Sequence, residues 1–389
     1  MSDQHEVLAE KEHADKMRQA DKIRQYYTDK AAELGLADFA RIQAYLDEAL
    51  PEAQKSYLLH RGIVFAHMGF EPFTTFIADG KPFAVVSGLN PSAPLHLGHK
   101  VMFDILLFLQ KLGADIYIPL TNDESYLDGK AASLAESRKM AYEKIIPSIM
   151  AFGFDPKKTH IFVLSDYPEI YNFAMQISKH VTNKYVATVF GENSLDNAGK
   201  AFYRSAVQLA QILLPQLPEF GGSRSTLIPV GIDQHPYILL ARDAAKKLGF
   251  TPPSELIFKF QNSLLDPVNK MSGSRPKTAI YLDDTPGVIA KKIQRAYTGA
   301  VSSLDVHKKL GAVPDACSVF SLLYFHHPDN DFVDDIRKRY ENGGITTKEL
   351  KDITTDFITK IVLDHQNKAK SVNRTDAFIL RTPLGSLLV

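Results

Sequence analysis

The segment from residue 82 to residue 120 constrains the fold most strongly. It begins with the apolar, β-branched run PFAVVSG (82–88), continues with GHKVMFDILLFLQKL (98–112) and ends with DIYIPL (115–120). The first and last runs are typical of buried strands, and the middle run is long enough for a buried helix. Strand, helix and strand within about 40 residues predict a βαβ unit, so we expect two parallel strands joined by a right-handed crossover.

The same alternation continues downstream. THIFVLS (159–165) and STLIPVG (225–231) are predicted strands, and residues 168–182, 202–214 and 236–248 are predicted helices. Strands that alternate with helices predict an α/β fold, a Rossmann-type parallel sheet with helices on both faces. Insertions are expected between its halves, around 124–157 and 183–201.

Both ends of the chain are predicted to be helical. Apolar residues recur at helical spacing in DKIRQYYTDKAAELGL (21–36), in DFARIQAYLDEAL (38–50), and over 286–297, 318–326, 331–341 and 347–369. We therefore expect a helical N-terminal extension over 1–60, packed on a later core. A Rossmann-type domain follows over 61–285, with a connective part at about 124–201. An all-α C-terminal domain is expected over 286–389.

Charge and cysteine content exclude several classes of protein. The 389 residues carry 45 Lys plus Arg and 45 Asp plus Glu, so the net charge is zero and a nucleic-acid partner would need a local basic patch. Cys317 is the only cysteine, which excludes an internal disulfide framework and fits a reducing compartment. No apolar run reaches about 18 residues, and the first residues are too charged for a secretory signal. We therefore expect a cytoplasmic protein with no membrane span.

The first chemical motif, His96-Leu97-Gly98-His99, lies where the first predicted strand passes into its helix. Free N–H groups and partial positive charge at a helix N-terminus attract anions. Gly98 would let a nucleotide approach the backbone, and the two imidazoles can donate to phosphate oxygens on which charge builds. Asn90 and Ser92 precede the helix and can cap it or bind the ligand. No further Cys, His, Asp or Glu group lies at ligand spacing near the two histidines, so a phosphate site is favoured over a zinc site.

The second chemical motif is the loop VNKMSGSRP (268–276). Lys270 can reach a transferring phosphate as a mobile point charge, and Ser272 and Ser274 can donate to phosphate oxygens. Gly273 permits the backbone conformations that loop closure needs. An ordinary surface loop would explain the lysine alone, but two phosphate-directed motifs on one α/β sheet favour a shared site.

Together the two motifs resemble the signature sequences of class I aminoacyl-tRNA synthetases. The first is similar to the His-Ile-Gly-His motif, with Leu97 for Ile, and the second to the Lys-Met-Ser-Lys-Ser loop, with Gly273 for its second Lys. Segments across residues 55–389 further resemble tryptophanyl-tRNA synthetases of the archaeal and eukaryotic type. These segments are HRGIVFAH (60–67), LTNDESYL (120–127), KHVT (179–182), GENSLDNAGK (191–200), LIPVGIDQHPYILLARD (227–243), YENGGITTKELK (340–351) and DHQNKAKSV (364–372).

The resemblance implies a ligase that joins L-tryptophan to tRNA(Trp) through an aminoacyl-adenylate, with ATP as substrate and Mg²⁺ accompanying it. It implies that five residues are catalytic: His96, His99, Lys270, Ser272 and Ser274. The residues implied to bind ATP are Gly88, Asn90, Ser92, Gly98, Gly231, Asp233 and Met271. Those implied to bind the amino acid are Thr121, Glu124, Gln208 and Gln234. No resident metal site is implied.

The resemblance also implies a homodimer, and tRNA anticodon contacts in the C-terminal domain. Basic clusters there could meet phosphates. They are Lys291, Lys292 and Arg295; Arg337, Lys338 and Arg339; and Lys368, Lys370 and Arg374. A solvated helix surface explains any one cluster equally well.

Three positions depart from the family pattern around the substrate indole. Val86, Pro119 and Leu265 stand where eukaryotic members have a Tyr and two Gln, so the partner of the indole N–H is left open. Tyrosine is the alternative substrate, because the tyrosyl and tryptophanyl enzymes share fold and motif order. A nucleotidylyltransferase also uses a His-x-Gly-His helix, but the lysine loop and helical C-terminal domain argue against it. A paralogue without aminoacylation activity would have no reason to keep His96, His99 and Lys270.

Overall fold

A computed structural model describes residues 2–49, 56–191, 197–372 and 375–388, and a seven-stranded sheet lies at its centre. The strands are β1 (Ala37–Asp38), β2 (Val64–Met68), β3 (Ala84–Val86), β4 (Asp115–Leu120), β5 (Thr159–Val163), β6 (Thr226–Gly231) and β7 (Ser254–Phe258). They lie in the order β1-β2-β7-β6-β3-β4-β5. Strands β7, β6, β3, β4 and β5 pair in parallel, whereas β1 and β2 add an antiparallel edge.

Helices cover both faces of this sheet and dominate the described residues from 286 onward. They are α1 (Ser2–Glu33), α2 (Ala40–Ala49), α3 (Tyr57–His60), α4 (Glu71–Ala78), α5 (Leu97–Lys111), α6 (Asn122–Leu127), α7 (Leu134–Met140), α8 (Ile146–Met150), α9 (Glu169–Ser178), α10 (Asn183–Phe190), α11 (Ala198–Phe202), α12 (Gln208–Leu213), α13 (His235–Leu248), α14 (Pro286–Arg295), α15 (Leu304–Leu310), α16 (Ser318–His326), α17 (Asn330–Glu341) and α18 (Thr347–Lys370). Single π-turns, Ala141–Ile145 and Tyr203–Val207, join α7 to α8 and α11 to α12. None of the described helices is both long and apolar enough to cross a bilayer.

The predicted βαβ unit is confirmed, because β3 and β4 pair in parallel, with Ala84 opposite Asp115, and α5 joins them. The predicted strands at 159–165 and 225–231 appear as β5 and β6. Strands β2 and β7 were not predicted, because a buried polar residue interrupts each apolar run. His67 lies in β2, and Glu255 in β7 accepts a hydrogen bond from His235 Nδ1 at 2.6 Å.

Alternation along the strands separates the two largest hydrophobic clusters of the described residues. Val85 and Ile116 belong to one cluster, which also holds buried residues of α5 and of the C-terminal helices. Val86 and Tyr117 belong to the other, with residues of α9, α12 and α13. Helix α5 therefore begins between the sheet and the C-terminal helices, and α12 covers the opposite face.

Both ends of the described chain pack on segments that are distant in the sequence. Lys16 in α1 donates to the carbonyl oxygen of Thr298 at 2.7 Å, and Tyr27 accepts from the amide of Phe260 at 3.2 Å. At the other end, the Leu380 amide donates to Ile161 in β5 at 2.8 Å. Because one hydrophobic cluster extends from Phe39 to Phe378, the boundaries at 60 and 285 remain predictions.

Gly88 marks the point where the chain leaves the sheet toward α5. The Leu89 amide donates to the Pro119 carbonyl oxygen at 3.1 Å, and a Cβ on Gly88 would lie only 2.3 Å from that oxygen. Non-bonded atoms do not pack so closely, so this close approach between the ends of β3 and β4 requires glycine. The approach fixes the start of the segment that carries the first motif.

We expect Gly88→Ala to lower the free energy of unfolding by about 2 kcal/mol, because β3 and β4 must move apart to admit the methyl group. Urea denaturation measures the effect. Gly287→Ala is the matched control, because it lies in the first turn of α14 and its Cβ would meet no atom within 4 Å. Equal stability of the two variants would contradict this explanation of Gly88.

Candidate active site

The first turn of α5 is closed by the two histidines of its own motif. His96 Nδ1 accepts from the Gly98 amide at 3.1 Å, and His99 Nδ1 accepts from the His96 amide at 3.2 Å. The two rings stack with their centroids 3.9 Å apart. Because each Nδ1 accepts a hydrogen bond, each neutral ring carries its proton on Nε2, where it remains available to a ligand.

Both imidazoles are uncharged at neutral pH. Burial, and secondarily the neighbouring His99, lowers the pKa of His96 from 6.5 to about 2. Burial alone lowers the pKa of His99 to about 4. The motif therefore presents neutral N–H donors rather than positive charge.

The lysine loop lies directly against this turn. The Met271 amide donates to the Gln261 carbonyl at 2.8 Å, and a Cβ on Gly98 would lie 3.6 Å from Met271 Cβ. Gly273 faces His96, because a Cβ there would lie 3.9 Å from His96 Nε2. Tyr281 donates from its hydroxyl to the Gly273 carbonyl at 2.8 Å. The two motifs, remote in the chain, are in contact.

Lys270 has an exchangeable partner. Its Nζ donates to Asp233 Oδ2 at 2.8 Å and lies 4.6 Å from the centroid of the Phe260 ring. The two charged side chains are 52% and 44% exposed, so the ion pair stabilises the fold by no more than about 1 kcal/mol. An incoming phosphate can therefore replace the carboxylate at little cost. The hydroxyls of Ser272 and Ser274, 2.9 Å apart, lie beside it.

Residues of the two motifs line one cleft of about 540 Å³. Asn90 adds a further donor, because its Nδ2 is buried and lacks a hydrogen-bond partner among the described residues, while its Oδ1 accepts from Ser125. Neutral N–H donors, together with the ammonium groups of Lys270 and Lys130, suit a polyanion such as a triphosphate. The predicted residues that line the cleft are Asn90, Ser92, His96, Gly98, His99, Lys270, Met271, Ser272 and Ser274.

Three of the residues that are predicted to bind the amino-acid substrate form a second polar cluster, at the carboxyl end of β4. Thr121 donates to Glu124 Oε2 at 2.9 Å, and burial raises the pKa of Glu124, against the lowering effect of that hydrogen bond. Tyr203 donates to Gln208 Oε1 at 3.0 Å, and burial, with the charge of Glu124 nearby, raises its own pKa. Tyr203 therefore joins the cluster.

Tyr203 was not predicted, because it precedes Gln208 by five residues, which is not the spacing of one α-helical face. The π-turn Tyr203–Val207 brings them together. The sequence feature that could have indicated Tyr203 is thus a tyrosine five residues before a glutamine that is predicted to bind the ligand.

The remaining predicted residues lie outside the cleft lining. Gly231 leaves room for Phe260, since a Cβ there would lie 2.2 Å from Phe260 Cε1. Gln234 ends the short helical turn Ile232–Gln234 before α13. Of the departures from the family pattern, Val86 is buried and Pro119 packs on Gly88, whereas Leu265 is 46% exposed and does not line the cleft.

Several cations of the predicted basic clusters are paired within the protein. Lys292 contacts Asp284 at 2.6 Å, Arg337 contacts Asp315 at 2.8 Å and Lys368 contacts Asp364 at 2.7 Å. Exposed members include Lys291, Arg295, Lys338 and Lys370. Arg374 lies outside the described residues, as does 192–196 of the segment GENSLDNAGK.

Comparison with known proteins agrees with this geometry. The family model "tRNA synthetases class I (W and Y)" matches residues 78–363. The tryptophan–tRNA ligase of Pyrobaculum calidifontis is 34% identical over 91% of this chain and 93% of the relative. That of Methanocaldococcus jannaschii is 33% identical over 84% and 89%, respectively.

Solved structures give the same result for the fold. The tryptophanyl-tRNA synthetase of Aeropyrum pernix superposes with a TM-score of 0.81 at 30% identity, over 92% of this chain and 96% of that structure. That of Encephalitozoon cuniculi, bound to tryptophan, gives 0.77 at 29% identity, over 90% and 98%. From its motifs, its sheet and these matches, the chain belongs to the class I tRNA synthetases, in the family of the tryptophanyl enzymes.

Proposed function

We propose that the cleft between α5 and the lysine loop binds ATP and forms tryptophanyl-adenylate, the first step in joining tryptophan to tRNA. The chain is a ligase, as its family membership establishes. In the proposed step the tryptophan carboxylate attacks the α-phosphorus, the bond to the bridging oxygen breaks, and pyrophosphate leaves. The contact of Gly98 and His96 with Met271 and Gly273 carries this proposal, because it puts both phosphate-directed motifs on one cleft.

The residues of the cleft act by orientation and by electrostatic stabilisation. His96 and His99 donate hydrogen bonds from Nε2 to phosphate oxygens. Because both rings are neutral, they carry no extra proton that they could transfer to the phosphate. Lys270 leaves Asp233 for the leaving pyrophosphate, which frees the carboxylate to accept from the ribose hydroxyls. Ser272 and Ser274 donate from the same loop. No covalent enzyme intermediate is needed.

The cluster at the carboxyl end of β4 takes the amino acid. Glu124 pairs with the α-ammonium, Thr121 and Gln208 add hydrogen bonds from the same cluster, and Gln234 adds one from the turn before α13. Within the described residues no group of three His, Cys, Asp or Glu side chains is placed to hold a metal ion. Mg²⁺ would therefore be carried by the phosphate oxygens of ATP, which suit a hard cation.

In the second step the aminoacyl group passes to the terminal ribose of tRNA(Trp). The exposed lysines and arginines of α14, α17 and α18 are the proposed phosphate contacts. A homodimer and a cytoplasmic location complete the proposal, and sedimentation of the purified chain tests the dimer.

Pyrophosphate exchange into ATP, measured with each of the twenty amino acids, tests the proposed function. We expect exchange with tryptophan alone. Exchange with tyrosine would favour the alternative substrate, and exchange with none would favour a paralogue without aminoacylation activity.

Lys270→Ala should lower the exchange rate constant by about 10²–10³-fold, because it removes charge stabilisation from the transition state. Tryptophan binding, measured by calorimetry without ATP, should change by less than about twofold. Lys277→Ala is the control variant. Lys277 is exposed and does not line the cleft, so this variant should keep full activity. Equal losses of exchange and of tryptophan binding would contradict the assigned role.

The neutral state of His99 predicts how stability depends on pH. Its pKa is about 4 in the folded protein and 6.5 ordinarily, so the unfolded chain binds more protons between these values. Stability should therefore fall as the pH falls from 6.5 toward 4. His99→Gln should make that decline shallower by about 1 kcal/mol per pH unit, as measured by urea unfolding at several pH values. Parallel curves for variant and wild type would refute a depressed pKa.

A further inference from the structure

The buried amide of Gln211 has an acceptor that the fold does not use. The residue is 1% exposed on α12, and its Nε2 donates to the Tyr203 hydroxyl at 3.1 Å. Its Oε1 is buried and has no hydrogen-bond partner within the described part of the chain. Because an unpaired buried carbonyl destabilises a fold, this oxygen needs a partner from outside the chain, a ligand or a water.

The orientation of this amide follows from the phenol beside it. Tyr203 has a single hydroxyl hydrogen, which it gives to Gln208 Oε1 at 3.0 Å. With the hydroxyl hydrogen on Gln208, the group of Gln211 that faces the phenol is the NH₂ donor. Oε1 is left as a free acceptor, directed away from Tyr203.

Gln208 and Gln211 share one face of α12. Gln211 follows Gln208 by three positions, which corresponds to a rise of about 4.5 Å along the helix. Gln208 is half-buried beside the polar cluster of Thr121 and Glu124, whereas Gln211 is fully buried. Its neighbours Val207 and Ala210 belong to the same hydrophobic cluster as Val86. The face thus changes from polar to apolar, as a site for an aromatic amino acid requires.

We propose that Gln211 Oε1 accepts the indole N–H of the substrate tryptophan and so determines specificity. The inference rests on the proposed function, because it assumes that the α-ammonium lies beside Glu124 and Gln208. Val86, the last residue of β3, and Pro119, the next-to-last residue of β4, have side chains without an acceptor, so α12 supplies it instead. An analogue without the N–H would leave Oε1 unpaired and be rejected.

The test compares tryptophan with β-(3-benzothienyl)alanine, in which sulfur replaces the indole N–H at nearly constant shape. In pyrophosphate exchange the wild type should favour tryptophan by about 10³-fold or more in kcat/KM. Gln211→Met should reduce this preference to within about tenfold, because it removes the acceptor. The matched variant Gln208→Met should lower kcat/KM for both substrates equally and leave the ratio unchanged.

Two further variants keep the test decisive if Gln211→Met does not fold. Gln211→Asn withdraws the oxygen by one methylene and should lose the preference, whereas Gln211→Glu retains an acceptor and should keep it. No exchange with tryptophan in the wild type would refute the proposed function. An active wild type whose preference survives in Gln211→Met or Gln211→Asn would refute the role of Gln211 alone.

Discussion

The chemistry of the site depends on how α5 closes its first turn. The backbone amides of His96 and Gly98 are taken up by the two histidine Nδ1 atoms, and burial keeps both rings uncharged. A Ser or Asp at either position would cap the helix as well. Serine would not extend an N–H into the cleft, and aspartate would repel a phosphate. Histidine satisfies the backbone with one nitrogen and offers the ligand the other.

The lysine loop can approach this turn closely because two glycines face it. Gly98 leaves space for Met271. A Cβ added to Gly273 would lie 3.4 Å from the Cβ of Ala93. Gly273 occupies the position of the second lysine in the family signature. With glycine there, the loop packs against His96, and Lys270 is the charged residue of the loop that lines the cleft. Tyr281 holds the Gly273 carbonyl from the other side.

Much of this arrangement was predictable from sequence, because local pattern and chain order determine it. Strands β3 to β6, helix α5 and the C-terminal helices follow apolar periodicity, and the two motifs fall at the ends of the elements that present them. Strand β7 was hidden, since Glu255 is buried there only through its bond to His235. The short antiparallel edge depends on pairing between distant segments, which no local pattern encodes.

The amino-acid cluster was only partly predictable for a similar reason. Glu124 and Gln208 follow from resemblance, but Tyr203 and the free oxygen of Gln211 depend on a π-turn that shifts the helical register. Hydrogen-bond satisfaction, which only coordinates reveal, points to the proposed acceptor that the sequence left open at Val86 and Pro119.

The central claim is that two imidazoles and a lysine, remote in the chain, converge on one triphosphate. A crystal structure with tryptophan and a non-hydrolysable ATP analogue tests it most directly. We predict phosphate oxygens within hydrogen-bond distance of Nε2 of His96 and His99, with Lys270 turned from Asp233 to the same phosphates. A nucleotide bound elsewhere, or a lysine that stays on Asp233 in the filled site, would contradict the account.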